Sequence, residues 1–284
     1  MILLSLLNYL LSILFATAAF FLNCYILFSI FYQKRIPINQ SMTFIYWKFS
    51  VDVVYTLNLT TLMFYYLLIS LSANFIIKNL TFWLVWASTS IGSMRSLLAL
   101  LISFERVLAT YFPIYFHKYR QRFPNFIVLL IIVTSGFFDQ YTLFGYCGND
   151  IDTPLECKGF SCAVNTCYYS YYFSNERVVC FMNGVFSLTL FFRFFVWKYV
   201  SKTQTNERIS RATRIALLDF FIMIFFNILA SYITTIFNLQ NVGPLTIVTK
   251  TLGFVIEGVI TCRVLFGAKN VVTVVVTTNS QKSS

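Results

Sequence analysis

Asp52, Arg95, Lys250 and Glu257 each interrupt a long apolar stretch of the sequence. Charge is costly in an apolar medium, so such groups pair with one another, face water or hold a polar ligand. Lys250 and Glu257 share a helical face seven residues apart, too far for a direct local pair. Each needs another partner. Two readings follow: Arg95 or Lys250 fixes a polar or acidic ligand, or Arg95 is neutralised by Glu257 or Asp52 and touches no ligand. Trp83, Trp86 and Ser90 are spaced i, i+3 and i+7 and share one face. They read as a ligand wall or as packing, since aromatic residues also belt membrane interfaces. Asn23 is placed to interact with Asp52 within a bundle, unless Asp52 is solvated near an interface. Asp139 and Asp219 fall near expected helix ends, where water is in reach. Glu105 and Arg106 adjoin at the end of an apolar run. An acid and an arginine there can hold an ion pair and free the arginine for another protein when helices part. The plainer alternative is an arginine that only snorkels to the interface.

These residues belong to a chain of 284 residues that is 58% hydrophobic and only 11% charged, with 33 Phe and 18 Tyr. Its mean hydropathy is +0.73. A soluble globule of this length cannot hide so much apolar surface. The balance excludes a cytosolic enzyme, an acidic disordered chain and a nucleic-acid binder. The net charge of +11 is spread along the chain and not clustered in one soluble domain.

A membrane-spanning helix needs about 20 mostly apolar residues. Seven stretches qualify: 2–32, 42–72, 80–104, 126–144, 178–198, 215–237 and 245–266. The spacing predicts an all-α, seven-transmembrane bundle forming a single domain over 1–284, with no gap long enough for a further soluble domain. The first stretch resembles a signal peptide at Ala16-Thr17-Ala18, but no basic residue precedes it and the apolar run continues to Phe31. It reads as a retained helix. The connections 33–41, 105–125 and 199–214 and the tail 267–284 carry twelve Lys and Arg, against Lys78, Lys158 and Arg177 on the other side. Positive charge stays inside, so the N-terminus is expected outside the cell and the C-terminus in the cytoplasm. Lys118, Arg120, Arg122, Lys202, Arg208, Arg211 and Arg214 on the inner side would attract anionic lipid of the bilayer without any protein partner. The sequon Asn79-Leu80-Thr81 abuts the membrane and is a poor glycosylation site.

Four of the seven cysteines, Cys147, Cys157, Cys162 and Cys167, fall in the 145–177 connection, on the expected outer, oxidising side. They read as two disulfides among three possible pairings. The one histidine, His117, lies on the opposite side, so zinc is the weaker reading and no cofactor or metal is expected. Cys24, Cys180 and Cys262 lie in spans and read as packing residues.

Ser103-Phe104-Glu105-Arg106-Val107-Leu108-Ala109 with Pro113 resembles the acidic-Arg-Tyr motif of rhodopsin-like receptors. Glu105, Arg106, Leu108, Ala109 and Pro113 match its spacing, and Val107 stands for the usual Tyr. Asn23 and Asp52 lie about where such receptors keep a polar Asn and Asp in the first two spans. The third span has no starting Cys, the sixth no Cys-Trp-x-Pro and the seventh no Asn-Pro-x-x-Tyr. With the loop Phe160-Ser161-Cys162-Ala163-Val164-Asn165-Thr166-Cys167, the chain is similar over nearly its whole length to the nematode serpentine chemoreceptors, most closely class bc. That resemblance implies a plasma-membrane receptor of sensory cilia. It would detect a small environmental chemical and couple to a heterotrimeric G protein through Glu105, Arg106 and Pro113. The alternative is a seven-span ligand-gated channel or transporter. That would need a polar pore or half-helices with Gly or Pro breaks, and neither a repeat nor a proline occurs in the first six stretches. An intramembrane enzyme lacks the histidines for metal or acid–base chemistry, so no enzymatic activity is expected.

Overall fold

A computed structural model describes residues 2–34, 42–120, 125–155, 157, 159–200, 214–215, 217–218, 221–229 and 245–266. Long helices dominate, and there is no strand among the described residues. They are α1 (Ile2–Phe31), α2 (Thr43–Leu71), α3 (Leu80–Tyr111), the short α4 (Pro113–Arg120), α5 (Asn125–Gln140) with a π-helical continuation Tyr141–Tyr146, the single turn α6 (Phe160–Ala163), α7 (Thr166–Val200), a π-helical segment Met223–Leu229 and α8 (Leu245–Phe266). Among the described residues, five segments are long and apolar enough to cross a membrane: Leu3–Phe31, Thr43–Leu71, Leu80–Tyr111, Phe126–Tyr146 and Leu245–Phe266. Eleven of the 23 residues of the expected sixth stretch, Asp219 included, lie outside the described residues, as do Arg122, Lys158, Lys202, Arg208, Arg211 and the tail 267–284.

Packing follows from stripes of small and polar residues. On α1 the buried positions Asn8, Ser12, Ala16, Ala19, Asn23, Ile26 and Ile30 recur every three or four residues. Small side chains on one stripe let helix backbones approach closely where lipid provides no hydrophobic drive. This stripe brings α1 against α2 and α8. At Gly258 of α8 a Cβ would stand 3.2 Å from the Cβ of Leu22, so glycine sets that distance. Helix α3 is central and packs on α2, α5 and α7. Leu3, Leu7, Leu14, Phe21, Leu57, Phe64 and Phe137 stand exposed on the outer helix faces, as a lipid-facing surface requires.

Two apolar clusters fill the bundle. One, around Ile26, Ile45, Phe49, Leu98, Ile102 and Leu265, occupies the end that holds Arg106. The other, around Tyr9, Leu59, Met63, Tyr66, Val85 and Phe254, extends to Cys157 and Ala163 of the cysteine loop. Asp52, Arg95 and Glu257 fall between the buried members of the two clusters along α2, α3 and α8.

Two helix boundaries differ from the hydropathy expectation. The third stretch was expected to end at 104, where charge begins, but α3 continues to Tyr111. A Glu-Arg pair lowers hydropathy without disfavouring a helix; the stop comes from Pro113. The residue before a proline is steered away from the α region, and Phe112 has φ −125° and ψ 57°. Pro113 then starts α4, the position where its missing N–H costs nothing. The expected loop 145–177 is likewise helical from Thr166. Residues 166–177 contain no Gly or Pro. Asn165 accepts the backbone N–H of Tyr168 at 2.9 Å, an N-cap that starts the helix well before the apolar run.

Candidate functional site

At the centre of the bundle four charged side chains from three helices close a ring. Lys48 and Asp52 sit one turn apart on α2 and bond at 3.2 Å. Asp52 also accepts from Nε of Arg95 on α3. Arg95 donates through Nη2 to Glu257 on α8 at 3.1 Å, and Glu257 accepts from Lys48. The side chains are 2–8% exposed. Two cations and two carboxylates balance, as buried charge must. The Arg95 guanidinium also lies 4.4 Å from the centroid of the Phe254 ring. Arg95 is thus neutralised by both Asp52 and Glu257. Lys48 was absent from the candidate residues; its spacing of four from Asp52 was the available signal.

Arg95 lines two cavities. The smaller is bordered by Asn23, Asp52, Thr56, Glu257 and Thr261. Asn23 donates to the carbonyl of Ala19 on its own helix at 3.0 Å, so its amide shares the cavity with Asp52 while bonding locally. The other is a partly open cleft between α2, α3, α7 and α8, enclosing about 430 Å³ with the solvent at its mouth included, and is bordered by Tyr55, Gly92, Arg95, Tyr172, Glu176 and Lys250. Lys250 pairs with Glu176 at 3.6 Å, with its Nζ 6.0 Å from the centroid of the Tyr55 ring. Tyr55, Tyr172 and Glu176 escaped sequence reading, the last two because their part of α7 was expected to be loop.

The six ligand candidates therefore do not meet in one place. Arg95 and Lys250 share the larger cavity, and Glu257 belongs to the ring and the smaller one. Trp86 and Ser90 face α5 instead. Trp86 Nε1 donates to Gln140 Oε1, and Gln140 Nε2 donates to Ser90 Oγ at 2.8 Å. Trp83 packs edge-on against Trp86 at 5.5 Å and is 46% exposed. Asp139, expected to reach water, is instead 3% exposed and accepts from the Tyr171 hydroxyl at 2.9 Å. The helical start of α7 carries that phenol to α5.

At the other end of α3, Arg106 Nη2 donates to Glu105 Oε2 at 3.3 Å, and both side chains are 8% exposed. Thr110 Oγ1 bonds the Arg106 carbonyl at 2.7 Å. Tyr111 reaches α7 through a 3.3 Å bond to the Thr189 carbonyl.

The cysteine loop carries two disulfides, Cys147–Cys167 and Cys157–Cys162, across 20 and 5 residues. Of the three pairings open to the sequence, the structure takes this one. Without a cysteine at the start of α3, polar contacts hold the loop there. Asn79 Oδ1 accepts from the Thr153 backbone N–H at 3.2 Å, and Thr81 Oγ1 donates to the Cys157 carbonyl at 3.3 Å.

A family model described as serpentine type 7TM GPCR chemoreceptor Srbc matches residues 1–269, and the chain belongs to that family. No curated protein matches it. The protein is accordingly a multi-pass membrane protein of a seven-span chemoreceptor family.

Proposed function

We propose that the protein senses a small environmental molecule inside its helical bundle and passes the signal to a heterotrimeric G protein. Its N-terminus and cysteine loop lie outside the cell, and Arg106 and the C-terminus face the cytoplasm. The balance of Lys and Arg among the connections supports that orientation. Sensory cilia are the site of action that the family implies.

The observation that carries this reading is the position of Arg95. Its guanidinium belongs to the ring that ties α2, α3 and α8 together, and it also borders the larger cavity. A ligand in that cavity that interacts with Arg95 competes with Asp52 and Glu257, so it shifts the balance between helix arrangements. The same helix carries Glu105 and Arg106 eleven residues on, roughly 16 Å along the axis. Parting of the helices there frees Arg106 for the G protein, with Pro113 marking where α3 stops.

A panel of volatile and water-soluble chemicals, applied to cells expressing the full chain with a calcium or cyclic-nucleotide readout, tests the proposal. An evoked signal that vanishes without the G protein supports it. A current that persists without any G protein favours a channel.

A further inference from the structure

The charges of the larger cavity differ from those of the ring beside it. Lys250 and Glu176 stand 3.6 Å apart with side chains 24% and 33% exposed. That distance exceeds the 2.7–3.2 Å of an N–H···O hydrogen bond. The ring bonds are tighter, and their side chains are almost fully buried. The Lys250–Glu176 pair is therefore the accessible and more loosely held ionic contact at the cavity wall.

The wall as a whole is electrically balanced. Arg95 is matched within the neutral ring, and Lys250 is matched by Glu176. A monoanion drawn to Lys250 would meet the Glu176 carboxylate, and a monocation drawn to Glu176 would meet Lys250. Either leaves one unbalanced charge in a half-buried site, which is costly. A molecule with both charges leaves none and gains two charge-assisted hydrogen bonds. Gly92 keeps the wall clear beside this pair. A Cβ there would lie 3.5 Å from both the Tyr172 hydroxyl and Tyr55 Cε2, so anything larger than a methyl enters the cavity.

Resting on the receptor reading above, we propose that this cavity binds a small zwitterion of the free α-amino acid class. The carboxylate lies against Lys250 and the ammonium against Glu176, and the ligand takes the place of their mutual contact. The Tyr55 and Tyr172 rings flank the ligand's side chain.

The test uses the full-length protein in detergent and the twenty L-α-amino acids as probes. Each is paired with the amine lacking its carboxylate and the acid lacking its ammonium. The unfolding midpoint is followed, and G-protein activation is read in parallel in cells. At least one amino acid should raise the midpoint by about 5 °C at roughly a hundredfold excess over its Kd. Its singly charged counterparts should bind at least about tenfold more weakly. Glu176→Gln and Lys250→Gln should each weaken binding by a similar factor. Gly92→Leu, which keeps both charges and fills the space, should abolish it. The proposal falls if no amino acid shifts the midpoint, if an amine or acid works as well as its parent, or if both charge variants bind normally. Activation by singly charged or neutral chemicals alone would overturn the zwitterion and leave the receptor standing. Binding of an amino acid without G-protein activation would do the reverse.

Discussion

Arg95 and Glu257 meet through an Nη2–Oε2 bond of 3.1 Å although 162 residues separate them in the chain. That contact joins α3 to α8, and Lys48 with Asp52 closes it into a neutral ring with α2. Removing one member strands the opposite charge. Glu257→Gln should lower stability by about 3–5 kcal/mol. Lys48→Gln combined with Glu257→Gln leaves the Asp52–Arg95 pair intact and neutral, so the double variant should be more stable than the two single losses predict. Thermal unfolding of the purified full chain checks this; strict additivity would show that the ring does not act as a unit.

Arg95→Ala and Arg106→Ala should separate stability from signalling. Arg95 lies sixteen residues from the end of α3, whereas Arg106 lies five residues from it, about 7.5 Å. Water reaches Glu105 more readily once its partner is gone. Arg106→Ala should therefore reach the cell surface at a near-normal level and lose coupling. Arg95→Ala should lose surface expression or ligand response. Surface labelling beside evoked signalling distinguishes the two.

The two disulfides should differ in weight. The chain-entropy model gives about 3 kcal/mol for the Cys147–Cys167 loop and about 2 kcal/mol for the shorter Cys157–Cys162 loop. Cys167→Ser should reduce surface delivery more than Cys162→Ser, as measured by labelling of intact cells. Equal loss from both would mean that loop length does not govern the effect.

Gly258 is a steric test of the bundle. A Cβ would stand 3.2 Å from both Cβ and Cδ1 of Leu22, and a Cβ is fixed to the backbone. Gly258→Val should cost about 1–3 kcal/mol through overpacking. Leu22→Ala in the same chain should return part of that loss. Unfolding midpoints of the three variants decide it.

Much of the architecture was legible because spanning helices are written as long apolar runs, and α1, α2, α5 and α8 lie close to theirs. Their neighbours were not legible. The spacing of Trp83, Trp86 and Ser90 defines a common face, but only tertiary packing says that this face meets Gln140 rather than a ligand. Hydropathy also hid Tyr172 and Glu176, because polar residues that continue a helix lower the average as a loop would. Asn165 was the overlooked start signal. Asp52, Arg95 and Glu257 stood out as charges in apolar runs, yet Lys48 did not. Near the start of its run, a lysine reads as an interfacial residue that can snorkel, and only the four-residue spacing to Asp52 speaks for burial.

Orientation has a direct test. A tag before Met1 should be accessible on intact cells, and a tag after Ser284 only after permeabilisation. The reverse pattern would contradict the charge argument.

The central claim is that this bundle turns a bound chemical into G-protein activation through Arg106. The most direct measurement is heterotrimer dissociation, followed by energy transfer between labelled subunits, for the wild type and Arg106→Ala at matched surface levels across the same chemical panel. The account predicts ligand-evoked dissociation in the wild type and its loss in the variant. Equal dissociation in both, or an evoked current with no dissociation in either, would contradict it.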